Sequence, residues 1–523
     1  MQIRLPMSTR FPGRRLSVRR LFIFVAVVIA LVCGTVLAVA YQVQAFKPLR
    51  TPWTGGYVDV TETPTFELES RTGSGQKNLV LAFIVSDDGT CSPSWGNYYT
   101  PDEANTDLDL DRRIAQLHKS GRTLMLSFGG AHNTDLARAC SSAPELADAM
   151  GSVIDRYGAR AIDLDIEGDA LDDVASQKLR SDAVRILQER MSDRGETLAV
   201  WLTLPADRAG LTNRGVGVVQ QALQSGVNLT GVNLMTMNFG VPSNQVSLAD
   251  LSTQALQAAH GQITRTLLMS GRIATAPQVW GMLGATPMVG QNDEVDEVFT
   301  IEDAIALHSF AQANNLGRLS FWSLNRDQQC DSNYADWQTA VNFCSGIAQD
   351  TLEFDAILSS MRDGGADQVL ADQAPALPQS SGTLSGADDP ATSPYPVWSA
   401  QHNYVEGERV VWRHNVYVAL WANRDYMPDA VDAQGQTAWR LVGPVLPGET
   451  PRELPTVPAG TFPAWDAQAI YDTPDRVEYE GVIYEAKWWT QADSPAASAG
   501  SDSSPWRPLT EAEIQEILGV DRP

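Results

Sequence analysis

Between about Gly55 and Ile357 the chain alternates eight short β-rich runs with amphipathic helical stretches, and this alternation restricts its fold more than any other feature. The runs are Tyr57–Val60, Asn78–Val85, Thr123–Phe128, Ala161–Glu167, Leu198–Leu204, Gly231–Met237, Gln278–Val289 and Leu319–Ser323. Helical spacing of apolar residues marks Asp109–Ser120, Glu145–Tyr157, Ala175–Ser192, Val218–Ser225, Leu251–Thr266 and Ile301–Asn314. The last of these opens on Thr300-Ile301-Glu302-Asp303, a capping box with Asp in place of Glu. Strands joined by crossover helices pair in parallel and are covered on both faces. Eight such units predict an α/β fold, a (β/α)8 TIM barrel over residues 55–357. A doubly wound open sheet satisfies the same periodicity.

After residue 365 the composition shifts. Residues 366–396 are rich in Ala, Asp, Gln, Ser, Gly and Pro, and residues 444–463 are rich in Pro; both stretches are expected to be linkers. Between and beyond them the chain repeats itself. Trp398, Tyr404, Arg409, Val410, Tyr417, Ala419, Trp421, Pro428 and Trp439 recur at one constant offset as Trp465, Tyr471, Arg476, Val477, Tyr484, Ala486, Trp488, Pro495 and Trp506. Two copies of one small all-β module follow, over 397–443 and 464–510. Trp398, Trp439, Trp465 and Trp506 mark the module ends and are expected in its cores. Trp488 and Trp489 are neighbours, and neighbouring strand residues face opposite sides, so one of them must point outward. The first copy has Ala422 where the second has Trp489.

The formal net charge of −25 repels phosphate backbones, which excludes nucleic acid as a partner and leaves neutral polymers unaffected. Residues 1–20 carry Arg4, Arg10, Arg14, Arg15, Arg19 and Arg20 and no acid. Residues 21–41, Leu21 to Tyr41, then run without a charge, long enough as a helix to span a hydrocarbon core of about 30 Å. This pattern predicts a signal anchor, or a signal peptide cleaved near Ala40, with a cytoplasmic basic end and an extracytoplasmic remainder. Four cysteines lie beyond that segment. They allow three pairings, of which Cys91–Cys140 and Cys330–Cys344, each flanking neighbouring barrel elements, are the expected disulfides. No CxxC or HExxH spacing occurs, so neither a metal nor another cofactor is expected.

The strongest chemical signal is Ala161-Ile162-Asp163-Leu164-Asp165-Ile166-Glu167. In a strand Asp163, Asp165 and Glu167 share one face, and Ile162, Leu164 and Ile166 share the other. In a barrel the acids would line the interior and Glu167 would sit at the C-terminal rim, where barrel active sites are built. Like charges this close force protons to be shared, and a Glu kept protonated near neutral pH can donate to a leaving oxygen.

These residues resemble the DGxDxDxE signature of bacterial chitinases of glycoside hydrolase family 18, with Arg160 and Ala161 in place of the first Asp and the Gly. Ser127-Phe128-Gly129-Gly130 resembles the family's SxGG segment, and Met235-Thr236-Met237-Asn238 its MxYD or MxMD segment. Thr286-Pro287-Met288-Val289-Gly290 and Phe321-Trp322-Ser323-Leu324 resemble its seventh and eighth strand segments. The resemblance implies substrate-assisted hydrolysis of β-1,4-linked N-acetylglucosamine, the substrate's acetamido oxygen attacking the anomeric carbon. It assigns Glu167 to protonating the glycosidic oxygen, Asp165 to orienting the acetamido group, and Asp163 to holding a shared proton. Ser127, Met235, Met237, Asn238 and Trp322 would bind the sugar. Asn238 stands where the family carries Asp, so slower turnover is expected, with a gain on restoring Asp. In the second module Tyr484-Glu485-Ala486-Lys487-Trp488-Trp489-Thr490 resembles the YxAxWWT signature of type-3 chitin-binding modules (families 5 and 12). Tyr484, Trp488 and Trp489, with Tyr417 and Trp421 of the first copy, are the implied chitin-binding aromatics. The implied partner is chitin or another N-acetylglucosamine polymer. The alternatives are an endo-β-N-acetylglucosaminidase acting on glycans and a non-catalytic envelope lectin.

Overall fold

Buried runs of β-branched and leucine residues make the strands, and helices with one apolar face follow most of them. The computed structural model describes residues 18–45, 52–70, 78–331, 339–360, 388–432, 435–452, 456–479, 481–495, 504–509 and 511–519. The basic stretch before Val18 and most of the expected 366–396 linker lie outside these residues. The barrel strands are β1 (Trp53–Thr54, resumed at Tyr57–Asp59), β2 (Asn78–Ser86), β3 (Thr123–Gly129), β4 (Ala161–Asp165), β5 (Ala199–Asp207), β6 (Gly231–Met235), β7 (Leu283–Thr286) and β8 (Arg318–Leu319). These eight strands make up the (β/α)8 fold.

The chain divides into two compact units, one of residues 1–57, 142–147 and 161–369, the other of residues 58–141, 148–160 and 370–523. In the first, β4 to β8 pair consecutively and in parallel, and β8 pairs with Trp53–Thr54 of β1. In the second, β2 and β3 pair in parallel, and β2 also takes an antiparallel segment, Pro93–Trp95.

Most helices extend the predicted spans by a few residues. The capping box at Thr300 forms as expected and starts a helix over Ile301–Asn314. Two expectations need correcting. Gln278–Val289 is not one strand, because Pro277 seats a short helix, Ala276–Trp280, and regular pairing is confined to Leu283–Thr286, with a single further bridge from Met288 to Trp322. The expected helix Asp109–Ser120 is preceded by another. Thr100 caps α1 (Pro101–Leu108), and Asp109, in the left-handed conformation, separates it from α2 (Leu110–Lys119).

Both expected disulfides are present, Cys91–Cys140 in one unit and Cys330–Cys344 in the other. The N-terminal apolar run forms a helix, Val18–Ala45, with exposed side chains from Leu21 to Val32. Taken over the described residues, no helix is long and apolar enough to cross a membrane.

The repeat folds as two three-stranded antiparallel sheets. The first is β9 (Arg409–Trp412), β10 (Asn415–Ala419) and β11 (Trp439–Pro444); the second is β12 (Arg476–Tyr479), β13 (Val482–Ala486) and β14 (Trp506–Pro508). Their cores match position by position: Tyr404, Val410, Tyr417, Ala419 and Trp439 against Tyr471, Val477, Tyr484, Ala486 and Trp506. Even the indole donors agree, Trp439 to the Tyr426 carbonyl and Trp506 to the Asp493 carbonyl, each at 2.9 Å. Trp439 and Trp506 are buried as expected, while Trp398 and Trp465 are partly buried against the core.

The first sheet buries its second face as well. Val411, Val416, Val418 and Val442 form a further cluster with Tyr395. Around it, Arg112 of α2 donates to the Pro444 carbonyl (2.7 Å) and to Glu449 (3.0 Å). Tyr395 donates to Asp109 (2.8 Å), and Arg440 pairs with Glu67 and Glu69. A Cβ on Gly443 would lie 2.6 Å from the Arg112 carbonyl oxygen, so glycine is what lets β11 approach α2. Residues 388–396 and 444–452, from the two expected linkers, therefore pack with the first sheet.

Candidate active site

β4 separates its two faces as alternation requires. Ile162, Leu164 and Ile166 are buried, and the last two line a small cavity with Val200 of β5 and with Val184 and Val218 from the covering helices. Asp163 and Asp165 take the opposite side. Regular pairing ends at Asp165, earlier than expected, and Glu167 is extended residue and N-cap of a short 3-10 turn, Gly168–Leu171. Glu167 is half-buried at the end of the row. Burial pushes its carboxyl up to about 7, and the Asp293 carboxylate pushes the same way. A carboxyl that stays protonated to neutral pH is suited to general acid work.

Below it lies a closed polar network. Asp163 accepts from Arg318 Nη1 at 2.5 Å, from Thr203 Oγ1 at 2.5 Å and from the Tyr57 hydroxyl at 2.9 Å. Arg318 Nη2 donates to the Tyr57 hydroxyl at 2.8 Å, and its Nε to Ser320 Oγ at 2.7 Å. Asn233 Nδ2 ties Thr203 (3.0 Å) to Thr286 (2.7 Å). The strand register produces this layer, since Asp165 pairs with Thr203, Thr203 with Asn233, and Gly284 with both Asn233 and Arg318. A Cβ on Gly284 would meet Asn233 Oδ1 at 2.7 Å and Arg318 Cβ at 2.9 Å, which reserves this position for glycine.

At the rim Trp322 is half-buried, its ring 5.9 Å from that of Tyr57 and tilted by 58°. Two backbone bonds fix it, Trp322 N to the Pro287 carbonyl and Val289 N to the Trp322 carbonyl, each 2.9 Å. Met235 ends β6 and Met237 follows it, both half-buried. Ser127 is fully buried in β3, within the other unit.

Asn238 departs from the simple reading of a lost charge. It adopts φ +55°, and its carboxamide donates to Asp293 Oδ2 (2.8 Å) while accepting from the Asp293 backbone N–H (3.1 Å). The buried Glu297 reinforces the same pairing of loops, accepting from Phe239 N and Val241 N at 2.9 Å. A carboxylate is therefore present beside residue 238, supplied by Asp293. An Asp at 238 would face that carboxylate without a donor, so the gain expected from restoring it does not follow.

Sequence reasoning missed Tyr57, Thr203, Asn233, Asp293 and Arg318. Only Arg318 left a signal, a lone cation between Gly317 and the apolar run that carries Trp322.

In the modules, Tyr417 and Tyr484 are core residues rather than binding residues, because each faces Val410 or Val477 across its hairpin. Trp421 is 42% exposed, and Trp488 and Trp489 are 44% and 58% exposed. Both members of the pair face outward because the chain has left the β13 ladder after Ala486. Lys487 Nζ lies 4.7 Å from the Trp488 ring centroid.

Residues 464–507 match the model of carbohydrate-binding module family 5/12. Over 280 residues the chain is 35% identical to the "Probable bifunctional chitinase/lysozyme" of Escherichia coli (strain K12), covering 52% of this chain and 30% of that protein. It is 34% identical over 283 residues to "Endochitinase 11" of Metarhizium anisopliae, covering 52% of each. The chain thus spans between about a third and a half of the length of these relatives. Among solved structures, the catalytic domain of a hyperthermophilic chitinase from Pyrococcus furiosus matches with a TM-score of 0.52 and 26% identity, covering 60% of this chain and 96% of that domain.

Proposed function

We propose that the barrel hydrolyses β-1,4 linkages between N-acetylglucosamine units of chitin by substrate-assisted retaining catalysis. The observation that carries this reading is Glu167, held protonated to about pH 7 at the end of the Asp163–Asp165–Glu167 row. Glu167 donates its proton to the glycosidic oxygen as the bond to the anomeric carbon breaks. The substrate's acetamido oxygen closes on that carbon from the opposite face, and Asp165 orients the group and balances the positive charge it acquires. Water, deprotonated by the Glu167 carboxylate, then reopens the ring and restores the acid. Trp322 stacks on the sugar held over the row, and Met235 and Met237 line its side. The chitinase names of the relatives and of the matching solved domain support the substrate class.

Trp488 and Trp489 of the second module hold the polymer by stacking, and Trp421 of the first contributes less. The arginine-rich start, the uncharged run and the two disulfides support an extracytoplasmic enzyme anchored through the N-terminal helix or cleaved near Ala40.

The pH profile on a chromogenic chitobioside tests the acid. Glu167 must be protonated to act, so kcat falls as pH rises through about 7. Replacing Asp293 by Asn removes one of the two causes of the raised value and moves that limb to lower pH. Absence of turnover on the chitobioside would overturn the proposal, and an unmoved limb would remove Asp293 from the account.

A further inference from the structure

The barrel interior holds a buried cation that the hydrolytic scheme does not use. Arg318 and Asp163 are both 0% exposed, and they form an ion pair at 2.5 Å. The guanidinium is enclosed by aromatic rings, lying 5.4 Å from the Trp53 ring centroid, 5.5 Å from that of Tyr57 and 5.7 Å from that of Trp201. Two unpaired charges there would each carry a desolvation penalty, so each depends on the other. The sequence makes room for the pair through Gly284 on the neighbouring strand.

This bears on which carboxyls of the row can exchange protons. Asp163 was expected to hold a shared proton. Instead it accepts from three donors, Arg318, Thr203 and Tyr57. A proton on Asp163 would have to displace one of these or sit against a fixed cation. We propose that Arg318 is a positioning residue of the carboxylate row: it fixes Asp163 as a charge-paired anchor and leaves proton exchange to Asp165 and Glu167. The inference rests on the hydrolase reading of the same site. A cation at the base of the row supplies the neutralisation that a shared proton supplies in an all-carboxylate row. The row can then keep Asp165 charged, to face the developing positive charge, while Glu167 remains an acid.

The groups that face this pair are Tyr57 from β1, Asp165 from β4, Thr203 from β5, Asn233 from β6 and Ser320 beside β8. Burial holds the Tyr57 hydroxyl well above its ordinary value, so it stays a neutral donor throughout the working range. The net charge of the Arg318–Asp163 pair therefore acts on Asp165, two residues and roughly 6.6 Å along the strand.

The test is titration of the Asp165 and Glu167 carboxyls by carbon-13 NMR in the full chain, in the wild type and three variants. Arg318→Met leaves Asp163 unpaired and should raise the Asp165 midpoint by about one to two pH units. Arg318→Met with Asp163→Asn restores a neutral pair and should return the midpoint to within about half a unit of wild type. Arg318→Lys keeps the charge and should stay equally close. Where Arg318→Met alone does not fold, the double variant and Arg318→Lys still decide the matter. A double variant displaced as far as one to two units, or a lysine variant so displaced, overturns the proposal. So does an Arg318→Met protein that folds with an unmoved midpoint. These titrations need no turnover, whereas failure of the hydrolase reading shows as a wild-type protein inert on chito-oligosaccharides.

Discussion

The two copies of the C-terminal repeat share a core and differ in everything around it. In the first, the β9–β11 sheet is apolar on both faces, with Val411, Val416 and Val418 turned away from the Trp439 core. At the same positions the second copy carries Glu478, Ile483 and Glu485. The arginines follow suit. Arg440 of the first copy reaches Glu67 and Glu69, outside its own sheet. Its counterpart Arg507 turns back to Glu485 and Glu513 of its own copy. One duplicated fold has thus become a fixture of its unit, and the other carries charged residues on that sheet face and an exposed Trp488–Trp489 pair. The two copies share a core, and the second face of the sheet is where they differ.

If that division is right, removing an arginine that holds the first copy in place and removing one internal to the second copy should have unequal effects on stability. Arg112 is 2% exposed and pairs with Glu449, so Arg112→Ala should cost about 3 kcal/mol or more in chemical unfolding of the full chain. Arg507 is 37% exposed, and Arg507→Ala should cost under about 1 kcal/mol after screening by solvent. Equal costs would break the comparison. The ranking should reverse for polymer retention. Trp488→Ala should weaken retention on insoluble chitin about tenfold, the equivalent of one stacked ring lost. Trp421→Ala should change it less than about twofold. A larger loss for Trp421 would mean that the docked copy is a binder too.

Much of the barrel was legible from its residues, for reasons that are local. Alternation along Ala161–Glu167 placed the acids on one face, and capping at Thr300 located a helix start. The boundaries that failed were also local. Pro277 imposed a helix within Gln278–Val289, and the strand pairing released Glu167 into a turn. What was not legible depends on register between distant strands. Nothing near Arg318 in the chain points to Asp163, and nothing near Asn238 points to Asp293, which approach only through the closed fold. The docked face of the first module was readable and missed. Val-Val and Val-Tyr-Val in Arg409–Trp412 and Asn415–Ala419 are apolar on both sides of a strand, and such strands are covered twice.

Cutting and holding are assigned to separate residues, and one comparison tests this directly. Glu167→Gln in the full chain should release no detectable reducing ends from chitin, at least about a thousandfold below wild type, while retention on the insoluble polymer stays within about twofold. Hydrolysis that survives the substitution contradicts the assignment of Glu167 as the acid. Loss of retention together with activity contradicts the placement of binding in the Trp488–Trp489 module.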